Sequence, residues 1–300
     1  MKAGFVALIG RPNAGKSTLL NRFVGQKVAI VSDKPQTTRH RIVGVRNSPG
    51  GQIVFIDTPG IHKPMHRMNQ RMVDAATTTL KEVDVAVLVV DAAEPPGGGD
   101  RFVLDMVTRS GVTTILVLNK VDRVHKPALL PIIQQYTAVA RFAAVVPMSA
   151  LTGDGVDLLE REILAALPEG EPLYPDEYLT DQTQRTLAAE LIREKVLAHT
   201  RDELPYSTAV VIEQFQEPER EGGLTRIHAS ILVDHDSQKP IVVGRGGEMI
   251  KRIGTEARKD LEEMLDGRVF LDLYVKVRAD WRDDERLLNE IGLGARRPTS

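Results

Sequence analysis

Gly10-Arg11-Pro12-Asn13-Ala14-Gly15-Lys16-Ser17 follows the apolar run Phe5 to Ile9 and precedes the helix-like stretch Thr18 to Val24. The GxxxxGKS spacing thus stands in a strand-loop-helix setting, where it grips phosphates. Its glycines let backbone N–H groups curl around the oxyanions, and the following helix offers the positive end of its dipole. Lys16 reaches the β- and γ-phosphates, and the Ser17 hydroxyl ligates Mg²⁺. A chance glycine-rich turn is the competing reading, and the flanking strand and helix argue against it.

Working outward, strand-like runs alternate with helix-like spacing. Gly4 to Ile9, Gln52 to Ile56, Val83 to Val90, Thr113 to Leu118 and Ala143 to Val146 read as buried strands. Gly15 to Val24, Met68 to Leu80, Arg101 to Arg109, Ala128 to Ala140 and Val156 to Leu167 read as helices. Such alternation predicts an α/β domain with a doubly wound, mostly parallel sheet and a ligand at the strands' C-terminal ends. Pro168 to Asp181 carries three prolines and five acidic residues and reads as a linker. Beyond it the order becomes helix (Gln182 to His199), strand (Thr208 to Gln216), strand (Thr225 to Val233), a short helix before Gly244, helix (Glu248 to Leu265) and strand (Val269 to Val277). That is a second, α+β fold. The boundaries are 1–167 for the nucleotide domain, 168–181 for the linker and 182–300 for the second domain with a C-terminal helix.

Composition sets broad limits. Three hundred residues allow about two domains. No run of about 18 apolar residues offers a membrane span, and the N-terminus enters its first strand almost at once, without a signal peptide. The absence of Cys removes disulfides and thiolate metal sites. A cytoplasmic protein fits best. With a net charge of −2 there is no bulk attraction to nucleic acid or anionic lipid, so any such binding must come from a local patch.

A phosphate loop leaves ATP and GTP open. Asn119-Lys120-Val121-Asp122 at a strand end decides for guanine, because the Asp122 carboxylate accepts both the N1–H and the 2-amino hydrogen. Adenine offers no such pair of donors. Lys120 is expected along the base and against the phosphate loop, Asn119 between the two loops, and Ser149-Ala150 with a backbone N–H toward guanine O6. Asp57-Thr58-Pro59-Gly60 supplies the remaining contacts, with Asp57 acting on Mg²⁺ and the Gly60 N–H directed at the γ-phosphate. Only that phosphate separates GTP from GDP, so Ile61 to Met72 and the segment around Gln36-Thr37-Thr38-Arg39 are expected to respond to nucleotide state. Either Thr37 or Thr38 suits Mg²⁺ on sequence grounds. Ile61 stands where many GTPases carry a water-orienting glutamine, and its side chain can neither donate nor accept a hydrogen bond.

In the second domain, Gly244-Arg245-Gly246-Gly247 forms a GxxG loop between helical segments, followed by Lys251 and Arg252. A loop so poor in side chains lets an RNA backbone approach, and the helix start beyond it favours phosphate. The αββααβ order matches the type II KH domain. From Gln182 onward there are 19 Lys and Arg against 22 Asp and Glu, yet Lys239 to Lys259 holds six basic residues against two acidic ones. A focal basic face suits a short single strand better than a long duplex. Trp281 can stack a base or dock the final helix, and docking is the better reading.

These elements, in this order, resemble the bacterial Era family of the translation-factor-like GTPases along nearly the whole chain. The resemblance makes Gln36 to His40 the first switch and favours Thr38 as the Mg²⁺ ligand. It gives Asn13 a role as well, its amide oxygen holding K⁺ beside the β- and γ-phosphates where an arginine finger would act; the plainer reading of Asn13 is a loop cap. It further implies a monomeric switch, slow in intrinsic GTP hydrolysis, that binds the 3′ region of 16S ribosomal RNA and acts in its processing and in assembly of the 30S small ribosomal subunit. Peripheral association with the inner face of the cell membrane comes from the resemblance only, since the chain shows no basic amphipathic helix or lipidation motif. Two rivals stand beside this reading: a P-loop kinase or ATPase, opposed by Asn119 to Asp122, and a non-catalytic GTP-regulated RNA-binding scaffold, which Ile61 keeps open.

Overall fold

The computed structural model describes residues 1–34, 37–39, 41–61, 67–200, 204–220 and 222–290. Gln36, His40 and the part of the second switch at 62–66 lie outside them. The chain forms two compact units, Met1–Asp181 and Gln182–Ser300.

In the first unit the order is β1 (Lys2–Gly10), α1 (Lys16–Val24), β2 (Ile42–Ser48), β3 (Gly51–Asp57), α2 (Arg67–Glu82), β4 (Val85–Asp91), α3 (Gly98–Ser110), β5 (Thr113–Asn119), α4 (Leu129–Thr137), β6 (Ala144–Pro147) and α5 (Val156–Ala166). Six strands form one sheet in the order β2-β3-β1-β4-β5-β6, antiparallel only between β2 and β3. Because successive side chains along a strand face opposite ways, each central strand feeds two cores. Val6, Leu8, Val85, Val87 and Val89 join Leu19, Leu20, Phe23, Leu159 and Ile163 from α1 and α5. Ala7, Ile9, Ala86, Leu88 and Val90 join Ala76, Leu80, Val103, Val107 and Tyr136 from α2, α3 and α4. Burial on both faces explains why these strands read as continuous apolar runs.

Two features of this unit depart from the sequence reading. The antiparallel strand β2 was not among the expected runs, since Gly44, Arg46 and Asn47 break its apolar pattern. Gly44 has a packing cause: a Cβ there would lie 2.6 Å from Leu20 Cδ1 and 2.7 Å from Val24 Cγ2, so α1 sits against bare backbone. Residues 168–181, read as a linker, belong to the first unit and cover the free edge of β2. Val45 N–H donates to the Leu179 carbonyl (2.9 Å), Val43 N–H to Asp181 Oδ1 (3.0 Å), and the Thr180 hydroxyl to the Val43 carbonyl (2.7 Å). The fully buried Gln52 accepts from the N–H groups of Leu173 and Tyr174 and donates to the Tyr174 carbonyl. Tyr174 and Tyr178 stack with ring centroids 4.6 Å apart and pack on Val43, Val45 and Val54. An edge covered in this way is closed to pairing with another strand.

The second unit runs α6 (Gln184–His199), α7 (Leu204–Ser207), β7 (Ala209–Gln216), β8 (Leu224–Val233), α8 (Lys239–Val243), α9 (Glu248–Met264), β9 (Arg268–Val277) and α10 (Glu285–Glu290). Its sheet has the order β7-β8-β9, with β7 and β8 antiparallel and β8 and β9 parallel. One core holds Leu191, Ile192 and Val196 of α6 and Ile253, Ala257 and Leu261 of α9 against Ile227, Ala229 and Ile231. Trp281 is fully buried with Ala209, Val211, Leu232, Leu287 and Leu288, and its indole N–H donates to the Ser207 carbonyl at 2.9 Å. It docks the C-terminal segment. Among the described residues no helix is long and apolar enough to cross a membrane.

Candidate nucleotide site and second-unit loop

The nucleotide site lies beyond the C-terminal ends of β1, β3, β4, β5 and β6, as a doubly wound sheet requires. A cavity of about 410 Å³ is lined by Pro12, Asn13, Gly15 to Thr18, Thr38, Gly60, Asp91 and Lys120, among others. Two residues of its loop take left-handed backbone, Asn13 (φ 63°) and Gly15 (φ 95°). A Cβ at Gly15 would lie 2.2 Å from Asn119 Nδ2, so glycine is needed for space as well as conformation. Ala14 is buried in the α1-side core.

Three oxygens converge below this loop. Ser17 Oγ lies 2.7 Å from Asp57 Oδ2 and 2.8 Å from Thr38 Oγ1. The Thr37 hydroxyl donates to the Lys34 carbonyl at 2.6 Å. Of the two candidate threonines, Thr38 shares the cluster. Two hydroxyls and a carboxylate are hard oxygen donors of the kind Mg²⁺ takes, so the residues fit that ion. Lys16 is buried, its ammonium donating to the carbonyls of Gly10 (3.2 Å) and Arg11 (3.0 Å). Burial pushes its pKa from 10.5 down to about 8, with the Asp57 carboxylate acting in the opposite direction. An arriving phosphate restores the charge that burial disfavours.

Other expected residues divide by what they touch. Asn119 Nδ2 donates to the Ala14 carbonyl (2.7 Å) and its Oδ1 accepts from the Ala150 N–H (2.9 Å), so it ties the two loops together. This tie corrects one expectation. The Ser149 N–H is given to the Asp154 carbonyl and the Ala150 N–H to Asn119, leaving Leu151 with the first N–H of that loop that has no acceptor among the described residues. Thr58 donates to the Leu8 carbonyl (2.9 Å) and is buried, so it secures the strand end instead of facing the ligand. Pro59 is buried beside it. The Arg11 guanidinium turns from the phosphate loop to Asp100 (3.0 Å) at the start of α3. Lys120 gives its ammonium to Asp91 (2.6 Å) instead of the phosphate loop. The Asp122 carboxylate is exposed and makes no hydrogen bond among the described residues.

Ile61 has no exposed surface and belongs to the core beneath α2 and α3, while its N–H donates to the Gly10 carbonyl at 3.1 Å. The side chain at the usual glutamine position therefore points into protein. Beside it Gly60 admits no side chain: a Cβ would lie 2.6 Å from Pro12 Cα. Asn13 Nδ2 donates to the Asp33 carbonyl (2.5 Å), which leaves its Oδ1 without a donor among the described residues.

In the second unit Gly244, Gly246 and Gly247 have φ of 75°, 60° and 84°. At Gly244 a Cβ would also lie 2.7 Å from the Met249 nitrogen. The loop leads directly into α9. Arg245 and Lys251 are exposed without side-chain partners among the described residues. Arg252 is engaged: Glu256 takes its guanidinium (3.2 Å) and His199 (2.7 Å), and the His199 hydrogen bond is the main cause that holds the Glu256 pKa down. Sequence reasoning missed Asp91, whose partner Lys120 lies just past the end of the neighbouring strand β5. It also missed Arg22, which reaches the carbonyls of Ala150 and Leu151 from α1.

Family comparisons agree with both units. A model described as a 50S ribosome-binding GTPase matches residues 5–120, and one described as a KH domain matches residues 203–282. GTPase Era of Geobacter metallireducens is 50% identical over 291 residues, 97% of this chain and 97% of the relative. The chain belongs to the GTPase Era family. GTPase Era of Heliobacterium modesticaldum is 48% identical over 292 residues, again 97% of each. Among solved structures, Era in complex with MgGDPNP and nucleotides 1506–1542 of 16S ribosomal RNA is 40% identical, with a TM-score of 0.93, covering 98% of this chain and 100% of that one. A singly substituted variant of Aquifex aeolicus Era bound to GDP·AlF4⁻ matches with the same values. The chain is thus an Era-type GTPase, a P-loop domain followed by a KH domain, and the non-catalytic scaffold gives way to the enzyme.

Proposed function

We propose that this Era-family chain is a GTP-hydrolysing switch that binds the 3′ region of 16S ribosomal RNA through its KH unit. Its role is processing of that RNA and assembly of the 30S subunit. The observation that carries the switch is the meeting of Ser17, Thr38 and Asp57 within 2.7–3.4 Å, which joins the first switch to the phosphate loop and the β3 end. A segment bonded there senses whether a γ-phosphate is present. The RNA assignment is supported by the GxxG loop with its exposed Arg245 and Lys251, and by the relative whose complex holds nucleotides 1506–1542.

In this reading Ser17, Thr38 and Asp57 would hold Mg²⁺, which would supply positive charge to offset that of the nucleotide's phosphates. Lys16 contributes its ammonium to those oxygens. The Gly60 N–H, with no acceptor among the described residues, is directed at the γ-phosphate, and Asp122 accepts from guanine. Ile61, buried directly after Gly60, offers no group to orient water, and charge fixed in the loop stabilises the transition state instead. We assign a share of that charge to K⁺ held by Asn13 Oδ1. Turnover in KCl should exceed turnover in NaCl, and Asn13→Ala should remove the difference; equal wild-type rates would overturn the K⁺ role. For the RNA, sequencing of transcripts crosslinked to the GTP-bound protein in cells should return the 16S 3′ region. Gly246→Asp should lose it by placing negative charge against phosphate. Recovery of unrelated RNAs by both proteins would refute the assignment.

A further inference from the structure

The carboxylate of Asp91 ends β4 directly beside Asn119, its register partner at the end of β5. Both of its oxygens are committed. Oδ1 accepts the Ala93 N–H at 2.9 Å, and Oδ2 takes the Lys120 ammonium at 2.6 Å. The side chains are 12% and 25% exposed, so this is a pinned pair and not a solvated surface one. The clamp has a second point, since the Ala92 N–H donates to the Asn119 carbonyl at 2.9 Å. Lys120 itself is held with φ 66°, a left-handed conformation that a lysine does not adopt by preference.

Two residues along the chain, Asp122 is exposed and bears no partner among the described residues. Its task in guanine recognition requires both carboxylate oxygens to be free to accept. The Lys120 ammonium, on a flexible four-carbon stem two residues away, is a competitor for them. We propose that Asp91 is a positioning residue for guanine specificity: by holding the Lys120 ammonium it keeps that charge off the Asp122 carboxylate. The inference rests on the reading of Asp122 as the guanine acceptor. In this role Asp91 acts through Lys120.

The test compares two bases in the full-length protein. Asp91→Asn keeps the size of the side chain and the acceptor for the Ala93 N–H, but removes the charge that holds Lys120. GDP affinity of this variant should fall about tenfold or more, the range for losing a charge-assisted hydrogen bond. Asp122→Asn exchanges one acceptor for a donor and so suits xanthine, whose 2-position carries a carbonyl oxygen in place of the amino group. A neutral residue at 122 no longer attracts Lys120, so adding Asp91→Asn to Asp122→Asn should change XDP affinity by less than about threefold. XDP binding also shows that the doubly substituted protein is folded. Equal losses for GDP and XDP would make Asp91 a structural support and overturn the proposal, as would undiminished GDP affinity in Asp91→Asn. Failure of Asp122→Asn to favour XDP over GDP would instead overturn the underlying reading of Asp122.

Discussion

Ile61→Gln would place a water-orienting side chain where many GTPases have one, and in this chain it should fail. Ile61 has no exposed surface. Replacing it forfeits about 2 kcal/mol of apolar burial and leaves an amide in the core without partners, at about 1–3 kcal/mol. The sum, about 3–5 kcal/mol, is a large part of the usual stability of about 5–15 kcal/mol. With a urea slope of about 2 kcal/mol/M, the unfolding midpoint of the first unit should drop by about 1.5–2.5 M. Fluorescent mant-GDP, saturating in both proteins so that its own contribution cancels, reports that unit. Trp281, the chain's one tryptophan, reports the second unit, where no shift is expected. Single-turnover GTP hydrolysis in the absence of urea should not accelerate. A midpoint within about 0.5 M of wild type, together with faster hydrolysis, would show that residue 61 faces the γ-phosphate and refute the argument.

Three further outcomes follow from the geometry. Lys16 is charged below its depressed pKa of about 8 and neutral above it, so GDP affinity should weaken by up to about tenfold per pH unit above that point. The nucleotide-free unit should meanwhile lose stability as pH falls from 10.5 toward about 8, because the unfolded chain binds the extra proton there; a flat calorimetric affinity between about pH 7 and 9.5 would contradict the buried ammonium. Gly60→Ala forces its Cβ to 2.6 Å from Pro12 Cα unless the loop shifts, and single-turnover hydrolysis should fall about 10²-fold with GDP affinity little changed; an unaltered rate would free Gly60 of its role. Trp281→Phe loses the bond to Ser207 and should destabilise the second unit by about 1–3 kcal/mol in thermal unfolding followed by circular dichroism. Its RNA affinity in the cold should be unchanged, and a loss of RNA binding without a loss of stability would mean that Trp281 stacks a base.

What could be read in the sequence was whatever depends on local spacing. The phosphate loop, Asn119 to Asp122 and the GxxG glycines declare themselves because backbone shape and donor placement there are set by consecutive residues. The central strands were legible because burial on both faces makes them continuously apolar. By contrast, Gly44 breaks the apolar pattern of β2 to admit α1, and residues 168–181 hold to the β2 edge through backbone bonds and to the buried Gln52 of β3, neither of which has a period. Side-chain partners across strands were equally hidden. Nothing next to Lys120 in the sequence points to Asp91, and nothing next to Ala150 shows that its N–H is spent on Asn119. The choice between Thr37 and Thr38 likewise needed the positions of Ser17 and Asp57.

The most direct measurement is the affinity of the full-length protein for a 16S 3′-end RNA, determined with GDP and with a non-hydrolysable GTP analogue at equal Mg²⁺ and salt. Binding at least about tenfold tighter with the analogue is expected if the Ser17-Thr38-Asp57 meeting point governs RNA engagement, a coupling of about 1.4 kcal/mol. Equal affinities in the two nucleotide states would contradict the switch.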